Sequence, residues 1–307
     1  MTTAYYSHPV CAQHDMGAGH PECPPRLDAV EAALVDRGMM ERLDVREAPL
    51  VTREQLLRAH SAAHIDRIEA MAPSDGRVSV DPDTAMNPFS LEAAKRAAGA
   101  AVAAVDAVVG GEVNNAFCNV RPPGHHAERE RSMGFCLFSN VAVAALHAVE
   151  HHGLERVAIV DFDVHHGNGT EDVVKDCDNI LFCSTFQHPY YPGYYLPTEP
   201  GRRVNVPLEA GAGSGQFRMA VLDHWLPAIA GFNPELVLIS AGFDAHREDH
   251  LAGLNLEDDD YQWVTEAICS LSREIAEGRI VSALEGGYSL PALGRSAACH
   301  VEVLLNA

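Results

Sequence analysis

Several short stretches of the chain are apolar on consecutive positions: Ala116–Val120, Val157–Phe162, Ile180–Thr185, Leu236–Ser240 and Ile280–Leu284. Runs of this length, rich in Val, Ile and Leu and without strict polar alternation, predict strands buried on both faces, and so a parallel sheet between helical layers. Helical patterns lie between and around them, at Arg26–Arg37, Leu91–Val109, Val141–His152, Phe217–Ile229, Tyr261–Glu277 and Leu290–Leu305. Ser90 is placed to cap the second of these, Gly110-Gly111 to end it, and Gly153 to stop the third. No repeat of solenoid or propeller period is present. The alternation predicts one α/β domain over residues 1–307, with ligands expected outside the carboxyl ends of the strands.

The unusual residues stand at those ends. The runs at 116, 157, 236 and 280 are each followed by a polar, Gly-containing segment: Arg-Pro-Pro-Gly-His-His, Asp-Val-His-His-Gly-Asn-Gly, Gly-Phe-Asp-Ala-His and Glu-Gly-Gly-Tyr. Asp161, Asp163 and His165 are spaced by two in an extended stretch, so their side chains share one side. With Asp244 from another strand end, two carboxylates and an imidazole suit a divalent ion with a position left open for water. The donors are compatible with Zn(II), Fe(II), Mn(II) or Co(II). Any one of these groups alone would read as a hydrogen-bonded strand-end residue; together they need a cation or hydrogen bonds to offset burial and repulsion. His125 and His126, after the stiff Pro122-Pro123-Gly124 turn, suit proton transfer near neutral pH. Tyr288, after Gly286-Gly287, suits oxyanion stabilisation. His151-His152, near a helix end, reads as an ordinary surface pair.

Charge narrows the partners. Twenty-two Lys and Arg against 43 Asp and Glu give −21, which repels a phosphate backbone. Direct nucleic-acid binding is not expected, and the charge needs no role beyond solubility. The Glu257-Asp-Asp-Asp260 run suits the start of a helix, and Gly211-x-Gly213-x-Gly215 a plain turn before one. Eight dispersed cysteines without a Cys-x-x-Cys pair predict reduced thiols. The first residues carry no basic-then-apolar signal and no segment has the apolar length of a membrane span, so a cytoplasmic protein with no membrane contact is expected.

The segments Arg121-Pro-Pro-Gly-His-His-Ala127, Gly134-Phe-Cys136, Asp161-x-Asp-x-His-His-Gly-Asn-Gly169, Ala241-Gly-Phe-Asp244 and Glu285-Gly-Gly-Tyr288 resemble, in order and separation, the signatures of histone deacetylases and their bacterial relatives. The resemblance runs from about His8 to the C-terminus and points to the class II branch. It implies an arginase-like single domain with a central, mostly parallel eight-stranded sheet and helices on both faces. It makes Asp163, His165 and Asp244 ligands of one Zn(II), with Fe(II) or Co(II) as alternatives. His126 becomes general base and then acid, His125 its electrostatic partner on Asp161, and Asn168 the residue that holds His126, where the class I branch has Asp. Phe135 and Tyr191, with Gly134, Leu251 and Gly286, would line the substrate tunnel. Arg26 would belong to an acetate-release channel. Ser184 with Asp161, Asp163 and His165 would belong to a structural K(I) site.

The resemblance implies hydrolysis of the acetyl amide of N6-acetyl-lysine in a peptide or protein, releasing acetate. The same superfamily acts on acetylpolyamines, and a Glu gatekeeper of that activity aligns here with Leu251, which favours acyl-lysine. Deacetylation of small acetylated amines is the alternative, with Glu248, Asp249, Asp15 and Glu22 as nearby acidic residues. An inactive acyl-lysine binder is disfavoured by the complete catalytic set, and two-metal ureohydrolase chemistry by the single ligand set. The oligomeric state is not encoded in any of these features.

Overall fold

The computed structural model describes residues 2–307. Eight strands form one sheet: β1 (Thr3–Ser7), β2 (Asp44–Glu47), β5 (Asn115–Cys118), β6 (Val157–Asp161), β7 (Ile180–Gln187), β8 (Arg203–Leu208), β9 (Leu236–Ala241) and β10 (Ile280–Leu284). Their order is β2-β1-β5-β10-β9-β6-β7-β8. Every pair is parallel, so the expected mostly parallel sheet is wholly so. A separate two-stranded ribbon pairs β3 (Val78–Ser79) with β4 (Ala85–Met86).

The five strands expected from their apolar runs are the buried interior of the sheet: β5, β6, β7, β9 and β10 are buried at every position. The three strands absent from the sequence reading lie toward its edges. β2, Asp-Val-Arg-Glu, has alternate positions exposed, and β8 carries Pro207, which an edge strand tolerates because one side of its ladder is unpaired. β1 is too short a run, Thr-Ala-Tyr-Tyr-Ser, to stand out.

Helices cover both faces. On one side α4 (Ser90–Val109) packs on β5 and β10, and α5 (Asn140–Glu150) on β6 and β9; α1 (Pro25–Asp36), α9 (Asp258–Ile275) and α10 (Leu290–Asn306) pack together on the other. Ser90 does not cap α4: its hydroxyl accepts from the backbone N–H of Asn87 at 2.8 Å and meets the His14 ring at 2.7 Å. The helix expected over Phe217–Ile229 is two, Ser214–Ala220 and Leu226–Phe232, joined by a wide turn at Val221–Trp225. Pro227 has no N–H for a continuous helix, and the wide turn accommodates it. Arg53–Ala59 and Ala62–Met71 were not expected as helices, although Thr52 with Gln55, and Ser61, cap their starts.

Sheet order makes the site. β5, β10, β9 and β6 are four consecutive neighbours, so their carboxyl ends lie roughly 15 Å across in total at about 4.8 Å per strand. The loops after β1 and β5 are tied beneath this edge by a buried ion cluster. Glu22 is fully buried and accepts from Arg121 through both carboxylate oxygens and from Arg26 Nη1 at 3.0 Å, while Arg121 Nη1 also donates to the carbonyls of Cys11 and His14 at 3.0 Å. Removing one partner of such a pair leaves a buried charge behind. Arg121→Met is expected to cost about 3–5 kcal/mol, read as a lowered urea midpoint at constant slope. A loss below about 1 kcal/mol, the range of exposed pairs, would show that the cluster is not a structural tie.

Candidate active site

The extended segment that continues β6 alternates Asp161, Phe162, Asp163, Val164, His165, so the two phenylalanine and valine side chains enter the core while the polar ones face the strand ends. One ligand atom each from Asp163, His165 and Asp244 lies within 4.8 Å of the others. His165 Nδ1 is 3.1 Å from Asp163 Oδ1 and 3.1 Å from Asp244 Oδ2. The backbone N–H of Gly286 donates to Asp163 Oδ2 at 2.8 Å, and that of Val164 to Asp244 Oδ1 at 2.9 Å. A Cβ at position 286 would lie 2.2 Å from Asp244 Oδ2 and 2.5 Å from Asp163 Oδ2, so only glycine lets this loop close over the carboxylates.

The two carboxylates of the trio favour positive charge between them. Burial works against a charged His165, but hydrogen bonds and charge from Asp163 and Asp244 win and push its imidazole up to about 10. Burial and the Asp163 charge push Asp244 up to about 7. Two buried carboxylates and one imidazole with converging atoms thus fit a divalent ion of the borderline class.

Beside the trio, the Pro122-Pro123-Gly124 turn is followed by His125 and His126, whose ring centroids are 4.0 Å apart with the planes tilted by 42°. Glu285, at the end of β10, anchors this turn: its Oε2 accepts from Gly124 N at 2.6 Å and His125 N at 3.1 Å, and Ser240 donates to Oε1 at 3.2 Å. His125 Nδ1–H donates to Asp161 Oδ2 at 2.9 Å. Despite burial, the Asp163 and Asp161 charges hold His125 well above the usual imidazole range. His126 is held well below it, by burial and then by the neighbouring His125 and His165. Its Nδ1–H donates to Asn168 Oδ1 at 2.7 Å. The amide of Asn168 is oriented by its own donation to Glu128 Oε1 at 2.8 Å and Tyr194 OH at 3.0 Å, so the carbonyl end faces the ring. The lone pair of a neutral His126 is therefore on Nε2.

A cavity of about 160 Å³ opens above these groups, lined by His126, His165, Gly134, Phe135, Tyr190, Tyr191, Asp83, Leu251 and Tyr288. Gly134 (φ 56°) and Phe135 (φ 69°) are both left-handed; a Cβ on Gly134 would come within 2.4 Å of the His126 ring. Tyr191 stands edge-on to His126 with centroids 5.1 Å apart, and Phe135 edge-on to Tyr288 at 5.9 Å. The Arg26 guanidinium lies 5.0 Å from the centre of the Tyr288 ring, fully buried, with Nε donating to the Gly287 carbonyl at 2.6 Å. Burial and the Asp244 charge keep the Tyr288 phenol protonated far above its ordinary range. Ser184 faces Asp161 across the β6–β7 register and bonds to His166 Nδ1 at 3.2 Å.

Of the residues expected to line the tunnel, Gly134, Phe135, Tyr191 and Leu251 line the cavity, whereas Gly286 lies against the Asp163 and Asp244 carboxylates. Four participants escaped the sequence reading. Asp83 reaches the cavity from the β3–β4 turn, with Oδ1 accepting from Gly134 N at 3.2 Å. Partial burial and the neighbouring Asp81 push it up to about 6. Tyr190 stacks on His165 at 5.7 Å, and Glu128 and Tyr194 hold Asn168. Tyr190 adjoins Tyr191 and the role of Glu285 adjoins its own motif, but nothing local marks Asp83 or Glu128.

A family model described as histone deacetylase domain matches residues 20–304. The chain is 39% identical over 284 residues to a histone deacetylase-like amidohydrolase of Pseudomonas aeruginosa, covering 90% of this chain and 74% of that protein. It is 36% identical over 309 residues to the chloroplastic histone deacetylase 14 of Arabidopsis thaliana, covering 94% and 73%. It is 37% identical over 310 residues to the mouse polyamine deacetylase HDAC10, covering 93% of this chain but 45% of that protein. The crystal structure of the HDA15 HD domain superposes with a TM-score of 0.92 at 34% identity, covering 99% of this chain and 90% of that one. A buried hydrolytic centre at the carboxyl edge of a parallel sheet defines the class, and the chain belongs to the histone deacetylase family. Among the described residues no helix is long and apolar enough to cross a membrane, and all eight cysteines are free.

The two adjacent imidazoles have opposite protonation preferences, which histidine-selective 15N spectra can read. His125 is expected to stay doubly protonated through neutral pH, and His126 to stay neutral to below pH 6.5 with its hydrogen on Nδ1. Asn168→Asp puts an anion on Nδ1–H and stabilises the imidazolium, so the His126 titration moves to higher pH. A downward or absent movement would contradict the geometry.

Proposed function

We propose that this chain hydrolyses the acetyl amide of N6-acetyl-lysine in peptides or proteins, with residues 1–307 acting as one catalytic domain that takes Zn(II) at Asp163, His165 and Asp244. The carrying observation is the convergence of this ligand trio, a neutral His126 and a protonated Tyr288 on one narrow, aromatic-walled cavity. The bound ion would supply Lewis-acid polarisation of the amide carbonyl and of water. Fe(II) and Co(II) fit the same donors.

His126 Nε2 takes a proton from the attacking water as the C–O bond forms at the acetyl carbon. The Tyr288 hydroxyl donates to the carbonyl oxygen as negative charge develops there. His126 then delivers its proton to the lysine nitrogen as the C–N bond breaks, leaving acetate and the amine. His125, held cationic on Asp161, keeps His126 weakly basic enough to return the proton. Gly134, Phe135 and Tyr191 enclose the aliphatic stem, Gly286 closes the floor over the ligands, and Arg26 under Tyr288 supplies positive charge on an acetate exit path. A K(I) ion near Asp161, Asp163, His165 and Ser184 would be structural.

The choice of acyl-lysine over a polyamine rests on where the acidic residues are spent. Leu251 presents an apolar wall to the cavity. Glu22 is fully buried on Arg121 and Arg26, Asp15 pairs with Arg77 at 2.9 Å, and Glu248 pairs with Arg295 at 2.9 Å. Asp249 accepts from the backbone N–H groups of Tyr288, Ser289 and Leu251 at 2.6, 3.0 and 3.0 Å. Glu22 and Asp249, the buried two, are not free to read a distant ammonium, and Asp15 and Glu248 are each paired with an arginine at the surface. Asp83, which accepts from Gly134 N–H, lines the mouth where a substrate backbone N–H would pass.

Comparison of kcat/KM for an acetyl-lysine peptide and an acetylated polyamine, with defined Zn(II), tests the substrate class; a polyamine preference would overturn it. Tyr288→Phe should lower kcat by roughly 10²–10³ at unchanged fold, the loss of one oxyanion donor, and near-normal turnover would sink its role. Binding without turnover in the wild type would mark the chain as an acyl-lysine binder. Leu251→Glu should move the ratio of the two kcat/KM values toward the polyamine, and an unchanged ratio would remove Leu251 from the gate.

A further inference from the structure

A second convergence of metal-ligating groups lies at the far end of α5. Asn140, at the start of this helix, donates to the Pro122 carbonyl at 3.2 Å beside the histidine turn, and the helix then runs roughly 16 Å away from the site. His147 and His151, four residues apart, share one helix face, and their rings stack with centroids 4.7 Å apart and planes at 20°. His152 stands edge-on to both, at 5.4 and 4.9 Å. Asp106, in the last turn of α4, completes the group. Its Oδ1 is 2.7 Å from His147 Nε2 and 2.7 Å from His152 Nε2. One ligand atom from each of the four residues lies within 4.8 Å of all the others.

We propose that Asp106, His147, His151 and His152 bind a divalent transition-metal ion at a site separate from the catalytic centre, clamping α4 to α5. Three imidazoles and one carboxylate are a borderline donor set, suited to Zn(II), Ni(II), Co(II) or Cu(II) and unsuited to Ca(II) or Mg(II), which take oxygen. Two ring nitrogens already meet at one carboxylate oxygen, so small side-chain movements bring the ligands around an ion. The negative end of the α5 dipole favours a cation here. His147 is an anchor with 3% of its side chain exposed, whereas Asp106 at 47% and His152 at 19% leave the site open to solvent. Arg58 Nη1 now donates to His147 Nδ1 at 2.6 Å. An ion on Nε2 moves the ring hydrogen to Nδ1, and Arg58 then turns to Glu150, which its Nε already reaches at 3.1 Å.

The full chain, without a histidine tag and stripped by a chelator, is titrated with Zn(II) by calorimetry, with bound metal counted by elemental analysis. Two equivalents per chain are expected in the wild type, and one in the His151→Ala/His152→Ala double variant, whose hydrolysis of acetyl-lysine peptide at saturating Zn(II) stays unchanged. Asp244→Asn, which disables the other ligand trio, should retain the α4–α5 equivalent. Asp106→Asn should weaken that equivalent by more than about tenfold, since even loss of a supporting contact around a metal costs that much. Equal metal counts in the wild type and the double variant, or no effect of Asp106→Asn on any equivalent, would overturn the site and leave a hydrogen-bonded histidine cluster.

Discussion

Burying carboxylates at the edge of an apolar sheet is the constraint on which this structure turns. Asp161, Asp163, Asp244 and Glu285 are all 1% exposed or less and come from the ends of three adjacent strands. Their mutual repulsion and desolvation would unfold the edge unless it were compensated. Backbone N–H groups of Gly124, His125, Asp163, Val164 and Gly286 supply part of the compensation, and the imidazoles of His125 and His165 supply the rest. The loops adopt tight, glycine-dependent paths because only there do their N–H groups reach the carboxylates. A divalent ion held by Asp163, His165 and Asp244, as proposed above, would satisfy the same demand more completely.

That arrangement also sets the protonation order. His125 and His126 are adjacent in sequence and nearly touching in space, yet one sits on an anion and the other on a neutral amide. Burial first, and then the positive charge held on His125 and that on His165, make His126 reluctant to keep a proton. Asn168 contributes orientation without charge, and the Glu128–Tyr194 pair contributes by fixing its amide.

A similar economy governs specificity. Of the four acidic residues that the sequence offers near the entrance, two are spent inside the protein: Glu22 on two arginines, Asp249 on three backbone donors. What remains at the cavity is Leu251, aromatic rings and Asp83. An overall charge of −21 therefore says little about what the cavity itself presents to a substrate.

The chain alone determined the class of architecture and most of the chemistry. Consecutive apolar runs marked the interior strands because those strands are buried on both faces, and strand-end spacing marked Asp161, Asp163 and His165 because alternate residues share a side. The edge strands β2 and β8 were not legible, since alternate residues of β2 face water and the apolar residues of β8 are interrupted by Asn205 and Pro207. Only tertiary structure decided the order β5-β10-β9-β6, which joins segments some 160 residues apart into one edge, as well as the arrival of Asp83 from a separate ribbon and the meeting of Asp106 with the α5 histidines. Strand order and long-range side-chain meetings are settled by how the whole core packs, and the local periodicity of a segment carries no record of which distant segment will lie beside it.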